Sequence, residues 1–118
     1  AGWRGLAAGV IEATIAAMPV AGPELVAVIG PCISAEHYEV GKEVIDAFRS
    51  HAVYPCIHSS DIASIRLNLS RTAAHLLRQS GVAGVETLDA NVLNASDYFY
   101  SFRQAGQTGR FSGYVRLN

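Results

Sequence analysis

The sequence predicts an α/β fold: a layered mixed sheet with helices packed on it and a C-terminal antiparallel hairpin. Three observations lead there. Apolar residues recur at three- and four-residue steps over 5–18 and again over 62–79, the spacing of a helix face. The continuous apolar run Leu25-Val26-Ala27-Val28-Ile29 stands between chain breakers, as a doubly covered strand does. Residues 98–103 and 111–117 alternate in part between large apolar and polar side chains, around a glycine-bearing turn.

Gly5 to Met18 reads as one helix, with Leu6, Val10, Ile11, Ile15 and Met18 on its stripe. Glu12 is its only charge, so burial on most sides is expected. Pro19, Gly22 and Pro23 stop it. The Leu25–Ile29 strand is expected to be central and ends at Gly30-Pro31. Tyr38 to Phe48 is amphipathic: Val40, Val44, Ile45 and Phe48 oppose Glu39, Lys42, Glu43 and Asp46. His51 to Ser60 reads as irregular. Ser59, Ser60 or Asp61 then offers an N-cap for a helix running to Gln79, striped by Ile62, Ile65, Leu69, Ala73, Leu76 and Leu77, with Gly81 at its C-terminal cap. Val82 to Leu88 predicts a strand. The hairpin turns at Ala105-Gly106-Gln107-Thr108-Gly109.

At 118 residues the chain makes at most one ordinary domain. Half of its residues are hydrophobic and only 16% are charged, against roughly a quarter in a typical soluble domain. Such a surface expects a partner, either a missing part of the same chain or a second copy. A net charge of −1 with scattered cations gives no footprint for nucleic acid. No apolar run is long enough for a bilayer span. Two cysteines, Cys32 and Cys56, are too few for a disulfide framework, which makes a reducing cytoplasm the default.

The opening Ala1-Gly2-Trp3-Arg4-Gly5 gathers two glycines, the only tryptophan and an arginine into five residues. A turn so specialised is out of place at a fraying terminus. It reads as a functional loop interrupted at residue 1.

Chemistry has three candidate seats. Cys56-Ile57-His58 puts two ligand types on one face of an extended segment, but a zinc site needs three or four ligands and no second pair exists. A loop cysteine beside a surface histidine is the favoured reading there. His75 falls near the apolar stripe of the long helix, where a histidine with a satisfied hydrogen bond is expected, and His37 and His51 flank the preceding helix. Gly30-Pro31-Cys32-Ile33 follows the best strand, and ligands gather beyond the carboxyl ends of strands in α/β sheets. A thiol there is a nucleophile, a pocket wall or simply structural; alone, the structural reading is favoured. The third seat joins arginines to glycines: Trp3-Arg4-Gly5, Ser101-Phe102-Arg103 and Thr108-Gly109-Arg110. Glycine lets a ligand approach the backbone, a guanidinium fork suits phosphate or carboxylate, and tryptophan offers a flat face to a base or sugar.

Taken in order, Ala1-Gly2-Trp3-Arg4-Gly5, Ile29-Gly30-Pro31-Cys32, Tyr38-Glu39-Val40-Gly41, Phe99-Tyr100-Ser101-Phe102-Arg103 and Thr108-Gly109-Arg110 resemble the C-terminal half of the bacterial laccase-domain family. That family is also described as multicopper polyphenol oxidase, purine nucleoside phosphorylase and peptidoglycan editing factor. The resemblance implies that residues 1–118 are the C-terminal portion of one larger domain, its N-terminal half absent. The family's first motif is His-Ala-Gly-Trp-Arg-Gly, and its histidine is one of three metal ligands, with another histidine and a cysteine further upstream. No residue of this chain is thereby a metal ligand. The sequence departs from the family at Asn91-Val92 (commonly Cys-Thr), at Gln104 (the second arginine of Ser-Tyr-Arg-Arg) and at Asn68 (the aspartate of Leu-Asp-Leu).

The activity so implied is zinc-dependent phosphorolysis of purine nucleosides such as adenosine and inosine, extending to methylthioadenosine and to adenosine deamination, with copper as the alternative metal. The implied partners are purine nucleoside and phosphate. Trp3, Arg4, Cys32, Arg103 and Arg110 would bind them. Alternatives are copper-dependent oxidation of phenols, peptidoglycan editing, or a non-catalytic interaction module.

Overall fold

The structure is a computed structural model that describes residues 1–51, 57–61, 64–88, 90–92, 99–101, 105–110 and 112–116. Its elements are α1 (Trp3–Ala7), α2 (Val10–Ala16), β1 (Val26–Ile29), β2 (Glu39–Val40), α3 (Lys42–Ala47), β3 (Ile57–Asp61), β4 (Ser64–Leu67), α4 (Leu69–Gln79) and β5 (Gly84–Thr87). Two small sheets result. One is the parallel pair β1–β5; the other is antiparallel, in the order β2–β4–β3. The fold is the mixed α/β architecture that the pattern predicts, with both strand senses present.

The first helix is two helices. Gly9 stands between them at φ +80°, a left-handed conformation that interrupts the helical ladder and that side chains other than glycine rarely adopt. The expected burial also fails: no residue of α2 is buried, and Val10 and Met18 are 40% and 47% exposed. Scarcity of charge marks an apolar surface but does not supply something to cover it. β1 corrects the same kind of expectation. It pairs with β5 alone, from Val26↔Gly84 to Ile29↔Thr87, and its residues alternate exposed and half-buried. It is therefore not a central, doubly covered strand among the described residues.

The amphipathic stretch 38–48 begins as strand. Glu39 and Val40 pair with Arg66 and Ile65, and α3 follows from Lys42. Val44 and Phe48 point into the core as predicted. Asp46 meets Lys42 at 2.6 Å and Arg49 at 2.8 Å on the surface. The hydrogen bond from Lys42 holds the Asp46 carboxyl below the usual carboxylate range.

The largest difference is at the long helix. Residues 57–60, read as irregular, and Asp61, read as a candidate helix cap, form β3. Ser64–Leu67, read as helix, forms β4, and the two strands pair from Ile57↔Leu67 to Asp61↔Ser64. Ile65 fits a strand period with Leu67 as well as the helical one with Leu69. Pairing on both sides of β4, with burial of Leu67, decides between them. The helix starts instead after Asn68, whose Oδ1 accepts from the Arg71 N–H at 2.9 Å and from the Ser70 hydroxyl at 3.0 Å. Its far end agrees with the sequence reading. Gly81, at φ +86°, follows the Ser80 cap, and the Val82 N–H reaches back to the Leu77 carbonyl at 3.1 Å.

Leu6, Ile33, Tyr38, Val44, Phe48, Leu67, Leu69, Leu76 and Val92 form one core cluster. It lies where α1, α3, β4 and α4 meet, with Trp3, Ile11 and Cys32 packed on its margin. Thr72 is fully buried and donates to the Asn68 carbonyl at 2.8 Å.

The expected C-terminal hairpin has no strand in its described residues, 99–101, 105–110 and 112–116. Tyr114 and Val115 are 95% and 88% exposed. Alternation organises a strand only when one of its faces is covered, and an antiparallel pair by itself is marginal in water.

Asn68→Ala removes the cap of α4 and is expected to lower stability by about 1 kcal/mol, whereas Asn68→Asp retains it. Urea unfolding of the two variants against the unsubstituted protein measures this, and equal losses in both would contradict the capping role.

Candidate functional site

The loop that enters α1 and the loop that leaves β1 come together. Gly2 ends the extended lead-in, and Trp3 starts α1 immediately after it. Trp3 packs against the core cluster, while Arg4 is exposed. The Arg4 guanidinium lies over the Trp3 ring, 4.5 Å from its centroid. This contact contributes about 0.5–1 kcal/mol at an exposed position. Opposite them, Pro31, Cys32 and Ile33 leave β1. Cys32 is fastened to 90–92: its N–H donates to the Ala90 carbonyl at 3.2 Å, and the Val92 N–H donates to its carbonyl at 3.1 Å.

These segments bound a cleft of about 780 Å³ lined by Gly2, Trp3, Arg4, Cys32, Tyr38 and Tyr100, among others. A second cleft of about 730 Å³ adjoins it. Its wall includes Gln107, Thr108, Gly109 and Arg110, and it shares Ala1, Gly2 and Tyr100 with the first. Three of the sequence-predicted residues, Trp3, Arg4 and Cys32, therefore line one cavity, and Arg110 lines its neighbour. Arg103 lies outside the described residues. So does Cys56, one of the two ligand types in Cys56-Ile57-His58.

Tyr100 is the site residue that sequence reasoning missed. It is 57% exposed and forms a wall common to both clefts. A Cβ on Gly109 would come within 2.9 Å of its ring, so the bare glycine is what lets the ring lie there. The available signal was Tyr100 and Gly109 falling within two motifs that recur together. Tyr38, buried and lining the same cleft, was read as the start of an amphipathic stretch and as part of a family motif, not as a site residue.

Behind Cys32, Asn91 bridges back to the 3₁₀ turn at Ala35–His37. Its Nδ2 donates to Ser34 Oγ at 2.9 Å, and its Oδ1 accepts from the Ser34 N–H at 3.4 Å. Ser34 Oγ and His37 Nδ1 are 2.9 Å apart. These bonds are satisfied when Nδ1 is the acceptor and the imidazole proton is on Nε2. His75 differs from expectation: its Nε2 is buried with no hydrogen-bond partner among the described residues. No three of His, Cys, Asp and Glu come together among the described residues. Those residues do not make a metal site by themselves. No helix among the described residues is long and apolar enough to cross a membrane.

Burial pushes the Cys32 thiol above its ordinary value of 9.0, outweighing hydrogen bonding to Ser70. The site therefore favours neutral sulfur, the opposite of an activated nucleophile. The stabilisation that Cys32 gains as a thiol is complete below pH 9.0 and is lost as pH rises through the higher folded-state value. Alkylation of Cys32 at about pH 8 is expected to be slower than at an exposed cysteine. Peptide mapping after timed iodoacetamide treatment measures it, and a rate matching an exposed thiol would contradict the assignment.

The chain is similar to several known proteins. It is 38% identical to a purine nucleoside phosphorylase of Pseudomonas aeruginosa over 120 residues, covering 99% of this chain and 50% of the relative. It is 31% identical to the purine nucleoside phosphorylase YfiH of Escherichia coli, covering 99% of this chain and 49% of that protein. Among solved structures, the Neisseria meningitidis protein NMB0706 superposes with a TM-score of 0.82 at 37% identity, over 90% of this chain and 45% of that one. The Bacillus licheniformis hypothetical protein YfiH gives a TM-score of 0.80 at 25% identity, over 88% and 42%. The chain thus spans about half the length of the relatives it matches. The family model described as multi-copper polyphenol oxidoreductase laccase matches residues 1–118 throughout, and the chain belongs to that family.

Proposed function

We propose that this chain is the C-terminal portion of a purine nucleoside phosphorylase-like enzyme and supplies the substrate-binding side of its centre. The observation that carries the reading is Trp3, with Arg4 over its ring, in the cleft that holds Cys32 and adjoins the one holding Arg110. The phosphorylase names of relatives at 38% and 31% identity support it.

The reaction is a displacement at ribose. A phosphate oxygen bonds to C1′, the C1′–N9 bond breaks, and its electron pair leaves on the purine, which takes up a proton. The catalytic needs are anion binding beside C1′ and a seat for the departing base. Trp3 supplies a flat apolar surface for the purine. Arg4 and Arg110 supply guanidinium donors for phosphate and for charge developing at the transferring group. Arg103 keeps the anion-binding role that its sequence motif gives it. Cys32, held neutral, acts as pocket wall rather than nucleophile. The metal of this reading, zinc with copper as the alternative, would be held by residues outside this chain. The reading takes the working compartment to be the cytoplasm.

The family description favours a second reading, oxidation of phenols with copper. The two separate in one experiment on the parent polypeptide. Phosphate-dependent release of hypoxanthine from inosine is expected, and it is expected to be lost on chelation. Arg4→Ala should raise the KM for phosphate by about ten- to a hundredfold, the worth of a hydrogen bond to a charged group. Trp3→Ala should raise the nucleoside KM about tenfold, the loss of one stacked base. No hypoxanthine from a folded, metal-loaded parent, with oxygen uptake on a phenol instead, would end the phosphorylase reading.

A further inference from the structure

The β1–β5 pair is physically incomplete. Strands of a parallel sheet are normally covered on both faces, and a lone pair of strands is marginal in water. Here the pair has four residues per strand, and among the described residues neither strand pairs with any other. Helix α4 lies against both strands. Ala27 and Ile29 are half-buried, while Val26 and Val28, on the opposite face, are 72% and 53% exposed. Leu88, just beyond β5, is 55% exposed. Glu86 sits beside Val28 in the register as the one charge on that face.

Resting on the reading that residues 1–118 are part of a longer domain, we propose that the Val26–Val28–Leu88 face is the seat of the other half of that domain. Its occupant is an apolar segment of the same polypeptide, with a basic side chain placed to meet Glu86. Length supports this choice. The solved relatives superpose on 90% and 88% of this chain but on only 45% and 42% of their own lengths, so more than half of each lies outside the match. A second copy of this chain fits less well. A standard interface uses about 20–30 residues a side, and three exposed apolar side chains are far fewer. A segment tied to the same chain needs less contact, because tethering raises its effective concentration to about the millimolar range.

The test is site-specific thiol labelling of the folded parent polypeptide. Val26→Cys and Val28→Cys change volume little, and Lys42→Cys serves as the exposed control, its side chain being 74% accessible. Maleimide labelling followed by peptide mapping should find positions 26 and 28 reacting about tenfold or more slowly than position 42, with all three equal after denaturation. Labelling at 26 and 28 as fast as at 42 overturns the inference. So does protection that disappears on dilution, which would make the occupant a second copy. The readout needs no enzymatic turnover. Protection in a parent that lacks phosphorylase activity leaves this inference standing without the functional one, and free labelling in an active parent does the reverse.

Discussion

The corner Leu67-Asn68-Leu69 is the constraint on which the rest depends. Leu67 is fully buried at the end of β4, and its N–H donates to the Tyr38 carbonyl at 3.1 Å. Leu69 is buried one residue into α4 and lines the main cleft. Between them the Asn68 side chain satisfies the open end of the helix, and its carbonyl takes the Thr72 hydroxyl. One turn of chain thus joins the antiparallel sheet to the helix that backs the parallel one. It also sets Ser70 beside Cys32, and Tyr38 with Leu69 in the cleft wall. Where the family resemblance places an aspartate, Asn68 retains the acceptor oxygen and gives up the charge. Capping needs only the oxygen.

The elements legible in the sequence are those whose local signal had no competitor. Gly81 ends α4 because its left-handed conformation and the Val82 bond to Leu77 agree with the composition. Val44 and Phe48 face the core because helical spacing and burial agree. The β3–β4 pair was not legible, because Ile65 satisfies a helical period with Leu69 and a strand period with Leu67, and only pairing with β2 and β3 chooses between them. Burial was the weaker inference for a different reason. Periodicity shows which residues share a face, as in α2 and β1, but not whether anything lies against that face. The site was legible where one short segment holds it, as with Trp3 and Arg4. Tyr100 gains its meaning only from the loop at Gly109, which sequence places nine residues away and the fold places in contact.

Position 91 shows how a departure from the family pattern can be absorbed. The resemblance expects a cysteine there, and the backbone of Asn91 bridges that of Cys32. Asparagine at this point binds the Ser34 backbone and hydroxyl instead. The loop after β1 is thereby held by amide hydrogen bonds, which do not respond to redox conditions. Cys32 remains a neutral thiol beside an amide.

The Trp3–Arg4 pair sets a condition on any ligand of the main cleft. A guanidinium over the ring occupies one of its two faces. In the proposed function, a purine that uses that face must displace Arg4, while one that uses the other must enter between the ring and the core. An anion resolves the competition. Phosphate drawing the Arg4 fork away from the ring exchanges a contact of about 0.5–1 kcal/mol for charge-assisted hydrogen bonds of about 1.5–3 kcal/mol. The exchange is favourable, and it uncovers the indole surface as the anion arrives. In the proposed function, binding of phosphate and of base would then be coupled through two adjacent side chains.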